Sequence, residues 1–161
     1  MTYSISEGVS AMEKNILVVD DDSDIREMLS TIVSLMGHEV EPACDGVEAI
    51  CRIKTQVPDL ILLDLMMPRM NGFQVLNFMT ATPATRRVPV IVITAASDET
   101  IAALPGVYRV IKKTDMKLAK LREIINGALD GESQEPNQHS IVRPMPSLTD
   151  TRDPAWGDMV M

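Results

Sequence analysis

Short apolar runs punctuate the chain at Ile16 to Val19, more weakly around Val40, at Leu60 to Leu63, at Val88 to Ile93 and at Val107 to Ile111. They are β-branched or Leu-rich and continuous rather than alternating, the pattern of strands buried on both faces. Helical periodicity fills the intervals. Ile25, Met28, Leu29, Ile32, Val33 and Met36 share one face of a first helix, with Asp22 or Ser23 as its N-cap and Gly37 as its stop. Asp45 with Glu48 three residues on resembles a capping box for a second helix through Val47, Ile50 and Ile53. A third helix opens at Gly72 and ends before Pro83; Ser97 caps a short fourth that Pro105 ends; a fifth runs from about Asp115 to Leu129. Strands that alternate with helices require right-handed crossovers and a parallel sheet covered on both sides. The expected fold is a doubly wound α/β domain with five parallel strands.

Composition sets the borders of that domain. Residues 1–12 are Ser-containing and weakly patterned, and read as a flexible N-terminal extension. Residues 131–161 carry four prolines and five acids against two arginines, which reads as a disordered acidic tail holding the single Trp156. The domain then spans residues 13–130. The 161 residues carry a net charge of −8 and only 3% aromatic residues, so neither a phosphate-backbone binder nor a base-stacking platform is expected. Cys44 and Cys51 lack companions at metal spacing and read as free thiols. With neither a leader-like start nor an apolar run of membrane length, the chain reads as soluble and cytoplasmic.

Ligands of open parallel sheets bind beyond the carboxyl ends of the strands. Asp20, Asp21 and Asp22 follow the first run, Asp64 the third, Thr94 ends the fourth, and Lys112 and Lys113 follow the fifth. Acids ahead of a helix commonly serve as caps, but three in succession exceed what capping needs. Carboxylates converging on one edge repel unless a cation sits among them, and Mg²⁺ suits such a partial oxygen cage. Carboxylate, divalent metal, hydroxyl and ammonium together describe phosphoryl transfer onto a carboxylate, with Asp64 as nucleophile and Thr94 and Lys112 binding the phosphoryl oxygens.

The segments Ile16-Leu17-Val18-Val19-Asp20-Asp21-Asp22, Asp59-Leu60-Ile61-Leu62-Leu63-Asp64-Leu65-Met66-Met67-Pro68 with Asn71-Gly72, and Val88-Pro89-Val90-Ile91-Val92-Ile93-Thr94-Ala95 resemble the receiver domain of two-component response regulators, including the single-domain chemotaxis regulator. The resemblance covers roughly residues 14–129. It implies a flavodoxin-like strand order 2-1-3-4-5. It also implies that Asp64 accepts a phosphoryl group from a sensor histidine kinase or histidine phosphotransfer protein, and that Asp20, Asp21, Asp64 and the backbone carbonyl of Met66 hold Mg²⁺. Thr94 would act as a switch and Lys112 would pair with the phosphoryl group.

Three departures from the family stand out. Lys112 is followed by Lys113 and Thr114 instead of proline and an aromatic residue, so Lys113 competes for the lysine role; Val110 and Ile111 favour Lys112. Arg109 stands where the family has an aromatic residue, with Tyr108 on the opposite strand face. The interval from Thr94 to Lys112 is about one helical turn short by family standards. The expected function is a phosphoacceptor switch that is not an enzyme beyond its own phosphoryl transfer, acting on an unknown downstream protein without nucleic acid or membrane. The alternative is a receiver-fold interaction module that works without phosphorylation. A metal-dependent phosphatase is disfavoured because Leu65 and Met66 follow Asp64 where a second acid would stand, and a dinucleotide site because no Gly-rich turn follows the first strand.

Overall fold

The apolar runs form the interior of one parallel sheet. A computed structural model describes residues 12–96 and 99–131. Strands β1 (Asn15–Val19), β2 (Glu39–Ala43), β3 (Leu60–Leu63), β4 (Val90–Thr94) and β5 (Val107–Lys112) lie in the order β2-β1-β3-β4-β5, and every pairing is parallel. Every residue of β1, β3 and β4 is buried, as continuous apolar strands require, whereas the edge strands β2 and β5 are partly exposed. The Ser97 cap, the N-terminal extension through residue 11 and the tail from residue 132, Trp156 included, lie outside the described residues.

Helices α1 (Ser23–Leu35) and α4 (Leu118–Leu129) cover one face, where Leu29, Val33, Leu121 and Ile125 pack on Ile16, Val18, Leu62, Ile91 and Ile93. Helices α2 (Gly46–Thr55) and α3 (Gly72–Ala81) cover the other, where Ala49, Ile53, Val75, Leu76 and Met79 meet Leu17, Val19, Ile61, Leu63 and Val92. The expected fourth helix is a 3-10 turn, Glu99–Ala103, which contributes Ile101 to the second core. The last helix starts at Leu118 rather than Asp115, because Lys113–Asp115 forms a separate 3-10 turn and Lys117 is extended.

Caps fix where the helices begin. Asp22 is the α1 N-cap and accepts from the N–H groups of Asp24 and Ile25. Gly37 at φ +87° continues past the C-cap Met36 in the left-handed region that glycine enters freely. Asn71 and Gln74 close a reciprocal capping box on α3. At α2, Asp45 caps the Glu48 N–H at 2.8 Å, but the Glu48 carboxylate reaches one residue further back than in a capping box, to the Cys44 N–H at 2.8 Å.

That Cys44 N–H, followed by the Arg52 guanidinium at 2.7 Å, lowers the Glu48 carboxyl to about 2. A depressed carboxylate adds stability that is present above its ordinary value and lost as the pH falls through the folded one. Parent stability should therefore fall more steeply than that of Glu48→Gln between about pH 4.5 and about pH 2. Urea denaturation of both proteins across that interval checks this. The difference should be modest, since the side chain is 36% exposed and solvent screens it.

Candidate functional site

Two adjacent buried strands deliver the central pair of acids. Asp20 follows β1 and Asp64 follows β3, and the Asp64 N–H donates to the Val19 carbonyl at 2.9 Å, which locks the two strand ends together. Both side chains are buried, Asp20 at 1% and Asp64 at 3% exposure. Asp21 is exposed beside them, and one carboxylate oxygen from each of Asp20, Asp21 and Asp64 lies within 4.8 Å of the others. Asp22 is spent on capping α1, so the acidic triplet divides into one cap and two site residues.

The two buried carboxylates are held by their neighbours. Asp20 Oδ1 accepts from the Asp22 N–H at 2.9 Å, while the Asp20 carbonyl takes a hydrogen bond from Arg26 Nη1 at 2.7 Å. Asp64 Oδ1 accepts from the Met66 N–H at 3.2 Å. The loop after β3 returns tightly to α3, and the Gly72 N–H donates to the Leu65 carbonyl at 3.0 Å. A Cβ at position 72 would stand 2.3 Å from the Asp64 carbonyl oxygen, so only glycine admits this closure.

The ammonium facing the acids belongs to Lys113. Its Nζ lies 2.9 Å from Asp20 Oδ2 and 3.1 Å from Asp64 Oδ2. The assignment of that role to Lys112 is corrected. Lys112 is exposed and lines a groove between β5 and α4 with Arg109, Asp115, Lys117 and Lys120. The cause is a register shift: Val90 pairs with Val107, but Ile91 pairs with Arg109, so Tyr108 is an additional residue in β5. The strand runs through Lys112, and the 3-10 turn that follows carries Lys113 to the site. The residue three places before the site lysine is then Val110, packed against the α2 and α3 core, while Tyr108 packs with the α1 and α4 core.

Thr94 ends β4 fully buried, and its Oγ1 accepts from the Ala96 N–H at 3.2 Å. It stands next to the β3 end in the sheet, since Leu63 pairs with Val92. Met66 is 62% exposed at the rim.

Burial raises the Asp20 carboxyl above its ordinary value, despite the opposing Lys113 ammonium and Asp22 N–H. Burial works against the Lys113 ammonium as well, but its close contacts with the Asp20 and Asp64 carboxylates outweigh it and leave that group above its ordinary value. Three carboxylates thus face one ammonium. Asp20 Oδ2 is buried and, although in ion-pair contact with Lys113, makes no hydrogen bond of good direction. An underused buried oxygen within a set of hard oxygen donors fits a small divalent cation.

A contact the sequence did not reveal braces the loop from outside. Arg69, at φ +66°, pairs with the buried Asp45 at the start of α2.

The model of the response regulator receiver domain matches residues 16–126. The chain belongs to this family, the receiver domains of response regulators in two-component systems. It is 34% identical over 117 residues to the DNA-binding response regulator MtrA of Mycobacterium tuberculosis, covering 73% of this chain and 50% of MtrA. It is 35% identical over 95 residues to the gliding motility regulatory protein of Myxococcus xanthus, covering 59% of this chain and 12% of that protein. The chain thus spans half or less of the length of these curated relatives. Among solved structures, the signal receiver domain of a histidine kinase from Syntrophus aciditrophicus superimposes with a TM-score of 0.67 at 29% identity, covering 77% of this chain and 96% of that one. The chemotaxis protein CheY4 of Vibrio cholerae gives a TM-score of 0.67 at 26% identity, covering 73% and 99%. Among the described residues, no helix is long and apolar enough to cross a membrane.

Proposed function

We propose that the domain is a phosphoacceptor switch in a two-component phosphorelay, with Asp64 receiving the phosphoryl group. The observation that carries this reading is the placement of Asp64 between two further acids and a lysine at the carboxyl edge of the sheet. A carboxylate oxygen of Asp64 attacks phosphorus, the phosphorus–nitrogen bond of a donor phosphohistidine breaks, and the acceptor becomes an acyl phosphate. The donor is a sensor histidine kinase or a histidine phosphotransfer protein. Asp20, Asp21, Asp64 and the Met66 carbonyl would hold Mg²⁺, whose charge offsets that of the incoming phosphoryl oxygens. Lys113 supplies a second positive charge to those oxygens, and Thr94 a hydroxyl that turns toward them. The reader of the switch is a downstream protein; the acidic charge of −8 does not favour nucleic acid.

Incubation with Mg²⁺ and acetyl phosphate should add one phosphoryl group by intact mass, and Asp64→Asn should stay unlabelled. A parent that takes no label would sink this reading. It would leave a receiver-fold interaction module that works without phosphorylation, which the 3-10 turn in place of a fourth helix and Val110 three places before the lysine also favour.

The acyl phosphate should be long-lived, because Met66 and Ala96 flank the site where the family's hydrolytic water approaches, and neither side chain orients water. Met66→Asn should lose its label severalfold faster than the parent, followed by intact mass after removal of acetyl phosphate. Equal lifetimes would count against this assignment.

A further inference from the structure

We infer that Arg69 is a positioning residue that sets the loop of residues 66–71 for cation binding by clamping it to the start of α2; this rests on the phosphoacceptor reading above. Arg69 holds φ +66°, the left-handed region in which a side chain strains the backbone and glycine does not. Loop closure alone would be met more easily by glycine. The arginine instead makes a specific contact: its guanidinium, on a side chain 70% exposed, pairs with the Asp45 carboxylate, which is 5% exposed. Asp45 is also the N-cap of α2, accepting from the Glu48 N–H, so one buried carboxylate ties the loop to a helix that packs in the core.

The neighbouring backbone repeats the attachment. The Gly46 N–H donates to the Met70 carbonyl at 3.2 Å, and a Cβ at Gly46 would stand 2.6 Å from that oxygen. The loop is thus fastened at three places: at its start by the Met66 N–H on Asp64, in its middle by α2, and at its end by the Gly72 N–H on Leu65. Met66, whose carbonyl is assigned to the cation, lies between the first two fastenings. Without the middle one, the carbonyl would still follow Asp64 but would lose its fixed direction. Groups that orient ligands typically alter metal affinity by about tenfold or more.

The test compares Arg69→Gly, which relieves the backbone and removes the ion pair, with Arg69→Lys, which keeps the charge, and Asp45→Asn, which keeps the α2 cap. Isothermal titration with Mg²⁺ alone should show affinity reduced about tenfold in Arg69→Gly and Asp45→Asn, with partial recovery in Arg69→Lys. The double variant that combines Arg69→Gly with Asp45→Asn should be no weaker than either single one. Exchange of the Gly46 amide, read without metal, should accelerate in both single variants. Accelerated exchange with unchanged Mg²⁺ affinity would overturn the inference, leaving the pair a local fastening only. Unchanged exchange and affinity would overturn it too. A parent that binds Mg²⁺ but takes no label from acetyl phosphate would instead overturn the phosphoacceptor reading.

Discussion

Lys113→Met should destabilise the metal-free domain by about 2 kcal/mol at neutral pH, while Lys112→Met stays within about 0.5 kcal/mol of the parent. Removing the Lys113 ammonium leaves Asp20 and Asp64 facing each other, both buried and without their shared counter-charge. The cost is below that of breaking a fully buried pair because the lysine side chain is 21% exposed and water enters as it leaves. Urea denaturation in the presence of a chelator measures both variants. The pH dependence identifies the cause. Lys113 sits above its ordinary 10.5, so its contribution is complete below that value and fades as the pH rises through the folded one. On the acid side, burial holds the Asp20 carboxyl above its ordinary 3.8, so its protonation removes the repulsion and the gap between parent and variant narrows as the pH falls through that raised value. Equal effects of the two lysine substitutions would refute the assignment of Lys113.

Asp20→Asn should raise the metal-free unfolding midpoint and abolish most of the gain from Mg²⁺. Burial holds the Asp20 carboxyl above its ordinary 3.8, so the ionised form is disfavoured in the fold and destabilises it at neutral pH. An asparagine keeps the acceptor for the Asp22 N–H, leaves Lys113 to Asp64 and removes one negative charge from the cluster. The same substitution deletes an oxygen donor for the cation, and Mg²⁺ affinity should fall by about a hundredfold. The two proteins should therefore exchange rank: the variant melts higher in chelator, the parent higher in saturating Mg²⁺. A variant that melts lower in chelator would mean that its pairing with Lys113 outweighs the burial of Asp20.

These two residues also mark the limits of reading the chain alone. Asp20 was legible because an acid directly after four continuous apolar residues must sit at a strand end, and Asp64 followed in the same way. The three central strands and the two-sided covering of the sheet were legible for the same reason, whereas the strand order rested on the resemblance to the receiver family. The lysine was not. Val107 to Ile111 reads as an unbroken strand, and nothing in its apolar pattern marks Tyr108 as the added residue that moves the count by one. The shortness of the interval before it was visible, but its replacement of a helix by a 3-10 turn depends on Ile101 reaching the core. The partnership of Arg69 with Asp45 joins residues from separate loops, which pattern and spacing do not connect.

The edge position of β5 gives the site an uneven resistance to opening. The acids hang from β1 and β3, interior strands in which every residue is buried, whereas the lysine follows a strand with no buried residue and, among the described residues, no sheet neighbour beyond it. Local unfolding begins where fewest apolar contacts are lost, so β5 and the turn after it separate at lower free energy than the sheet centre. Such an excursion withdraws the ammonium and leaves the carboxylates in register. The negative half of the site is therefore as durable as the fold, while the positive half is as durable as its weakest strand.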